Sequence, residues 1–298
     1  MSPPTSRSAG EWLRLLTLAL IWGLSFPAVD LALETLSPLH IATGRIFMGA
    51  IGLTAIAMIQ GVRFPTTARN WAALSFVGII GTALPFFLIG WGQQEVPPGA
   101  TSLLMAVMPF ITLGLAHAIG DERLTVQALL GMVLGFAGLG LLIGPDAVKA
   151  LGGDLGELIF QAAILGGAVC YSLSAIVARQ ARGVPILAAG AVSLVSASAV
   201  LVPSTLILEP LPVVSFGDTS LWAVIYLGLF ATLIAEILYF TIIGQSGASF
   251  FSLLNYMIPV IALAVSVAFL DEQPSWWTLV ALPIILLGLW LGGRQIRD

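Results

Sequence analysis

Charge is what this sequence has least of. Only 9% of its 298 residues are Asp, Glu, Lys or Arg, against roughly 25% in an ordinary soluble domain. With 58% hydrophobic residues and a mean hydropathy of +1.04, the outer surface has to face lipid. Histidine and cysteine are scarcer still. His40 and His117 stand in different segments and offer no metal-ligand spacing, and the lone Cys170 cannot close an internal disulfide. A net charge of −4 with no basic stripe argues against a nucleic-acid partner. No His-Glu-x-x-His, Walker loop or Gly-x-Ser-x-Gly elbow occurs. The expectation is a protein with no metal, cofactor, ATP site or catalytic residues, not an enzyme, whose work is driven by a gradient.

Long apolar runs are abundant. A helix needs roughly 20 apolar residues to cross the hydrocarbon core, and ten such runs are read at 12–33, 38–59, 71–92, 97–119, 124–143, 156–178, 186–208, 220–243, 248–269 and 276–293. Short connections hold the charges and turn residues, as in Gln60-Gly61-Val62-Arg63 and Gly144-Pro145-Asp146. A barrel is excluded, because its strands would be ~10-residue segments of alternating polarity. The first run has no small-x-small cleavage site and reads as an anchor rather than a signal peptide. With the N-terminus inside, Arg7, Arg14, Arg63, Arg69, Arg123, Arg179, Arg182, Arg294 and Arg297 fall on the cytoplasmic side. Only Lys149 falls outside, and Arg45 lies within a span. That bias places both termini in the cytoplasm.

The chain also resembles itself at one offset. Ser102-Leu103-Leu104 aligns with Ser252-Leu253-Leu254, Pro109 with Pro259, and Asp121-Glu122 with Asp271-Glu272, each 150 residues on (271 − 121 = 150). Gly78, Thr82 and Ile111 pair with Gly228, Thr232 and Ile261 in the same register. The expected organisation is a first five-helix repeat over 1–150 and a second over 151–298. Five being odd, the second half enters the membrane upside down. Inverted repeats around a midplane site are a recurring plan of secondary transporters; a duplication kept only for packing is the alternative.

On these residues the chain resembles a known family. Trp22-Gly23-Leu24-Ser25-Phe26, Arg45, the stretch Glu122-Arg123-Leu124-Thr125 with Gly131, Gly135 and Gly138, and Asp271-Glu272-Gln273-Pro274-Ser275 with Gly288 are similar to the drug/metabolite transporter superfamily. The branch is that of the ten-helix EamA-type exporters, including bacterial aromatic-amino-acid exporters. The second half departs from the pattern, with Cys170-Tyr171-Ser172 where a second tryptophan-glycine signature is expected and no counterpart of Arg45. The resemblance implies an all-α integral membrane protein of the bacterial inner membrane with ten transmembrane helices in a 5+5 inverted-topology repeat. It further implies alternating-access export of neutral amino acids, aromatic ones included, or related metabolites. Efflux of lipophilic cations is the alternative, although no glutamate lies between Glu11 and Asp30 where small multidrug relatives carry theirs. A lipid-acting enzyme, a channel or a receptor is a remoter one.

Polar groups inside spans are costly and therefore candidates for function. Glu236 is a candidate for a substrate amine or a coupling proton, or else for one structural hydrogen bond. Asp30 and Arg45 are expected to form an ion pair. Pro109 and Pro259 are expected to kink their helices and free the carbonyls of Met105 and Asn255, framing a central cavity. Trp22, Ser25, Phe86, Trp91, Ser102, Met105, Tyr171, Tyr239, Asn255 and Tyr256 are the remaining candidate lining residues. Trp12, Trp71, Trp222, Trp276 and Trp277 suit an interfacial belt, and Gly131-x-x-x-Gly135 and Gly288-x-x-x-Gly292 suit close helix packing.

Overall fold

Lipid offers a backbone N–H or carbonyl no water to bond, and this chain answers with helices throughout. The computed structural model describes residues 8–118, 126–151, 156–178, 181, 183–246, 248–251 and 253–293, and all regular structure among them is helical. Asp121-Glu122, Arg7, Arg123, Arg179, Arg182, Ser252, Arg294 and Arg297 lie outside the described residues, as do the side chains of Lys149 and Tyr256.

The path begins with α1 (Ala9–Gly23) and α2 (Ser25–Leu33), continues through α3 (Pro38–Ile59), and then α4 (Ala68–Gly78) passes through a π turn (Ile79–Ala83) into α5 (Leu84–Gly92). Next come α6 (Pro98–Met105), α7 (Met108–Ala118), α8 (Val126–Leu151), α9 (Gly156–Ala178) and α10 (Ile186–Leu208). A second composite follows, α11 (Thr219–Gly228), a π turn (Leu229–Ile234) and α12 (Ala235–Ser246), and the chain closes with α13 (Ala248–Phe251), α14 (Leu254–Phe269) and α15 (Trp276–Gly293). Among the described residues, six helical stretches are long and apolar enough to cross a membrane, starting at Ala9, Pro38, Ala68, Leu158, Ile186 and Thr219, and four shorter apolar helices accompany them. Bulky apolar side chains such as Leu13, Ile59, Val133 and Ile207 are exposed on the outside, which suits lipid rather than water. This is an integral membrane protein.

Helix ends follow local chemistry. Ser8 and Glu11 form a reciprocal capping box before α1, while Ser37 and Thr67 cap α3 and α4 through their hydroxyls. Breaks follow proline. α1 gives way to α2 at Leu24, three residues before Pro27, which has no N–H for the Gly23 carbonyl. The expectation of matched mid-span kinks needs correction. Pro109 is the second residue of α7, where the missing N–H would be unsatisfied anyway, so the helix is interrupted at Ala106–Val107 rather than bent. Pro259 lies inside α14, and the corresponding interruption falls earlier, before Leu254.

The two π turns start 150 residues apart (229 − 79 = 150), although only the first is followed by a proline, Pro85. In the second, Thr232 donates its hydroxyl hydrogen to the Leu227 carbonyl at 2.8 Å, taking an acceptor that an α-helix would give to a backbone N–H.

Packing is close where side chains are absent. α3 lies on α10, the α4–α5 composite on α9 and α10, the α11–α12 composite on α2 and α3, and α14 on α1 and α6. α8 and α15 run together at one side. There a Cβ added to Gly288 would stand 2.8 Å from the Gly131 carbonyl oxygen and 2.8 Å from the Gly135 nitrogen, so the two backbones touch. Gly288→Ala should therefore cost about 1–3 kcal/mol through overpacking, read as a lowered Tm and a broadened size-exclusion profile in detergent. Gly10→Ala, whose added carbon would meet nothing nearer than 3.9 Å, should leave the melting curve in place.

Candidate functional site

The centre of the bundle holds an arginine that lipid would not tolerate. Arg45 lies two turns into α3 and is only 7% exposed. Its Nε donates to Thr232 Oγ1 at 3.3 Å, and its guanidinium carbon lies 3.6 Å from the centroid of the Phe86 ring. Thr232 stands in the second π turn, which packs on α3, and its hydroxyl donates to the Leu227 carbonyl. π turns inside α-helices are often found at functional sites. The absent side chain of Gly49, one turn beyond Arg45, lets α3 approach: a Cβ there would come within 2.7 Å of Thr232 Cγ2.

Two further polar groups converge on this point. Tyr171 of α9 packs its ring edge-on against Phe86, with centroids 6.4 Å apart, and lies within electrostatic range of both Arg45 and Glu236. Glu236 is the second residue of α12, one turn beyond Thr232, and its Oε1 faces Gly190 of α10, where an added Cβ would stand 3.5 Å away. Among the described residues, no hydrogen bond or ion pair engages the Glu236 carboxylate, the Tyr171 hydroxyl or the two terminal nitrogens of Arg45. None of these atoms belongs to the sealed, partnerless polar atoms of the interior either.

Aromatic rings continue the wall. Tyr239, three residues after Glu236, packs against Phe251 at 4.9 Å and Trp22 at 6.2 Å, and Trp22 meets Phe251 at 6.1 Å. Phe251, Thr232 and Tyr226, which donates to the Ile21 carbonyl at 2.9 Å, were not among the sequence candidates. The match of Thr82 with Thr232 was the available signal for one of them.

Other expected residues stand elsewhere. Ser102 is 1% exposed and donates to the Gly99 carbonyl of its own helix at 2.6 Å, and Ser25 donates to the Trp22 carbonyl at 2.6 Å, across the break between α1 and α2. Trp91 stacks on Phe160 of α9 at 4.6 Å. Met105 ends α6 against the core around Leu103 and Phe110, and Asn255 is half-buried at the second position of α14.

The expected pair of Asp30 and Arg45 is not formed. Asp30 sits toward the end of α2, in electrostatic range of Glu272 and Glu34, whereas Arg45 is carried deeper by two turns of α3 and turned toward the α11–α12 composite. The ion pair at that end of the bundle joins His40 Nδ1 and Glu209 Oε2 at 2.9 Å, with the Ser37 hydroxyl also donating to Glu209. This contact ties the start of α3 to the end of α10.

The fold defines the chain as a helical integral membrane protein, and comparison with known proteins supplies the family. The EamA-like transporter family matches residues 11–144 and again 159–293; the chain belongs to that family. It is 23% identical over 280 residues to the uncharacterized transporter YoaV of Bacillus subtilis (strain 168), covering 94% of this chain and 95% of that one. It is 25% identical over 297 residues to a probable terminal-alkyne amino-acid exporter of Streptantibioticus cattleyicolor, covering 97% and 94%. It is also 25% identical over 280 residues to the uncharacterized inner membrane transporter YedA of Escherichia coli (strain K12), covering 92% and 88%. One solved crystal structure superposes with a TM-score of 0.68 over 98% of this chain and 100% of that one, at 21% identity, which shows the shared fold.

A double-mutant cycle tests these contacts. Arg45→Gln and Thr232→Val should couple by about 0.5–3 kcal/mol in chemical denaturation, as touching residues do. Arg45→Gln and Asp30→Asn should be additive within about 0.5 kcal/mol, as distant residues are.

Proposed function

We propose that this protein is a secondary transporter that exports neutral amino acids, aromatic ones included, by alternating access. The observation that carries the reading is a set of polar groups with unused hydrogen-bonding capacity on adjoining elements: Arg45 on Thr232 and Phe86, Tyr171 against Phe86, and Glu236 one turn past Thr232, near the rings of Tyr239, Trp22 and Phe251. Polar groups in a membrane interior are expensive unless a ligand or a polar cavity repays them. Glu236 suits a substrate ammonium, and the rings suit an apolar side chain. The amino-acid exporter among the relatives points the same way. Protons are the candidate coupling ion, with Glu236 as their carrier.

The architecture we propose is ten transmembrane segments in two inverted halves, 1–150 and 151–298, with both termini in the cytoplasm of the bacterial inner membrane. Support comes from the π turns 150 residues apart, from the double match to the family, and from interrupted helices on both sides of the site. Each half can then rock against the other around a fixed centre. A cysteine placed in the Gly61 turn should be labelled only after permeabilisation, and one at Asp271 should react with impermeant reagent on intact cells. The reverse pattern overturns the orientation.

Counterflow in proteoliposomes tests the activity. Vesicles preloaded with phenylalanine should accumulate radiolabelled phenylalanine, and Glu236→Gln should remove the pH dependence of net efflux while exchange persists. Accumulation of lipophilic cations without amino-acid exchange would favour drug efflux, a reading to which a buried carboxylate among aromatics lends some support.

A further inference from the structure

Arg45 has no anion of its own. The guanidinium carries five N–H donors in a rigid fork; Nε is spent on Thr232, and the outer edge with its four remaining N–H groups meets no protein acceptor among the described residues. Phe86 covers one face of the plane at 3.6 Å and Thr232 fixes its inner edge, so the free edge is aimed, not floppy. A buried cation without a counterion is strongly unfavourable, and Asp30, its expected partner, lies in electrostatic range of Glu272 and Glu34 instead. Glu236 shows the complementary defect, a carboxylate one turn past Thr232, or about 6 Å along the helix axis, with no cation.

We infer that Arg45 and Glu236 are the two poles of one site that reads the head group of a zwitterion, Arg45 taking the carboxylate through its free edge and Glu236 taking the ammonium. This rests on the transport reading above and adds its chemistry of recognition. The two protein charges sum to zero, as do those of a neutral amino acid, so the loaded site is neutral and leaves neither charge uncompensated. Tyr171, its ring against Phe86, lies in electrostatic range of both poles. Phe86 and Tyr239 flank the poles, so the side chain leaves the head group against rings. A ligand with only one pole leaves the other protein charge buried and alone, and is rejected for that reason. Arg45 is thereby a specificity residue, which its expected pairing with Asp30 concealed.

The test is binding to the purified full-length protein in detergent, by isothermal titration, with three probes sharing one ring: phenylalanine, 3-phenylpropionate and 2-phenylethylamine. Wild type should bind phenylalanine roughly tenfold or more tighter than either one-pole probe, the scale of one charged hydrogen bond. Arg45→Gln should weaken phenylalanine and 3-phenylpropionate by a similar factor and leave 2-phenylethylamine unchanged; Glu236→Gln should weaken phenylalanine and 2-phenylethylamine and spare 3-phenylpropionate. Where Arg45→Gln does not fold, Arg45→Lys keeps the charge without the fork and should show the same selective loss in smaller measure. Parallel weakening of all three probes, 2-phenylethylamine binding wild type as well as phenylalanine, or no binding at millimolar phenylalanine overturns the inference. Selective binding as described without counterflow would sink the transport reading alone. Counterflow of phenylalanine with unaltered head-group preference in the variants would sink the two-pole site alone.

Discussion

Every unusual feature of this protein traces to one constraint: in hydrocarbon, a backbone carbonyl or N–H must find its partner within the chain. Regular helices meet the requirement almost everywhere. Where they do not, the exception is inside the bundle. The interruption at Leu24 is buried against α14, and the π turn at Leu229–Ile234 spends its spare geometry on bringing Thr232 to Arg45. Gln93 shows the same economy, its Nε2 donating to the Phe26 carbonyl in α2 at 2.9 Å. At these places other helices or polar side chains receive the irregular backbone.

The 150-residue offset that pairs the two π turns does not pair the charges. At the 150-residue offset, Arg45 corresponds to Val195, and Glu236 corresponds to Phe86. In space, Arg45 lies on Phe86 and on the turn that leads to Glu236. Arg45 and Glu236 thus have apolar residues at the matching positions, and Phe86, which matches Glu236, supports Arg45. Scaffold duties fall to α8 and α15, whose glycine contacts bring backbone against backbone.

Much of this was legible in the sequence. The expected runs 38–59, 156–178, 186–208 and 276–293 coincide with α3, α9, α10 and α15, since continuous apolar stretches bounded by Ser, Pro and Gly leave little freedom. Trp22, Phe86, Tyr171, Glu236 and Tyr239 were legible as site candidates because aromatic and ionisable residues in mid-span are conspicuous. Helix rotation was not legible. Arg45 and Asp30 look like partners in neighbouring segments, and only the facing of α3 toward the α11–α12 composite separates them. Nor does a proline state whether it bends, starts or interrupts a helix, which is why Pro109 and Pro259 differ. The π turns escaped for a similar reason, as nothing in Leu229-Phe230-Ala231-Thr232 marks a wider turn.

The most direct test of the account is to see where an amino acid sits. Crystals of the protein grown with 4-bromophenylalanine would locate the ring by its anomalous bromine signal and the head group by its density. The account predicts bromine among Phe86, Tyr171 and Tyr239, with the carboxylate on the free edge of Arg45 and the ammonium on Glu236. Bromine along the α8–α15 seam or on the outer surface of the bundle, with Arg45 and Glu236 untouched, would contradict it.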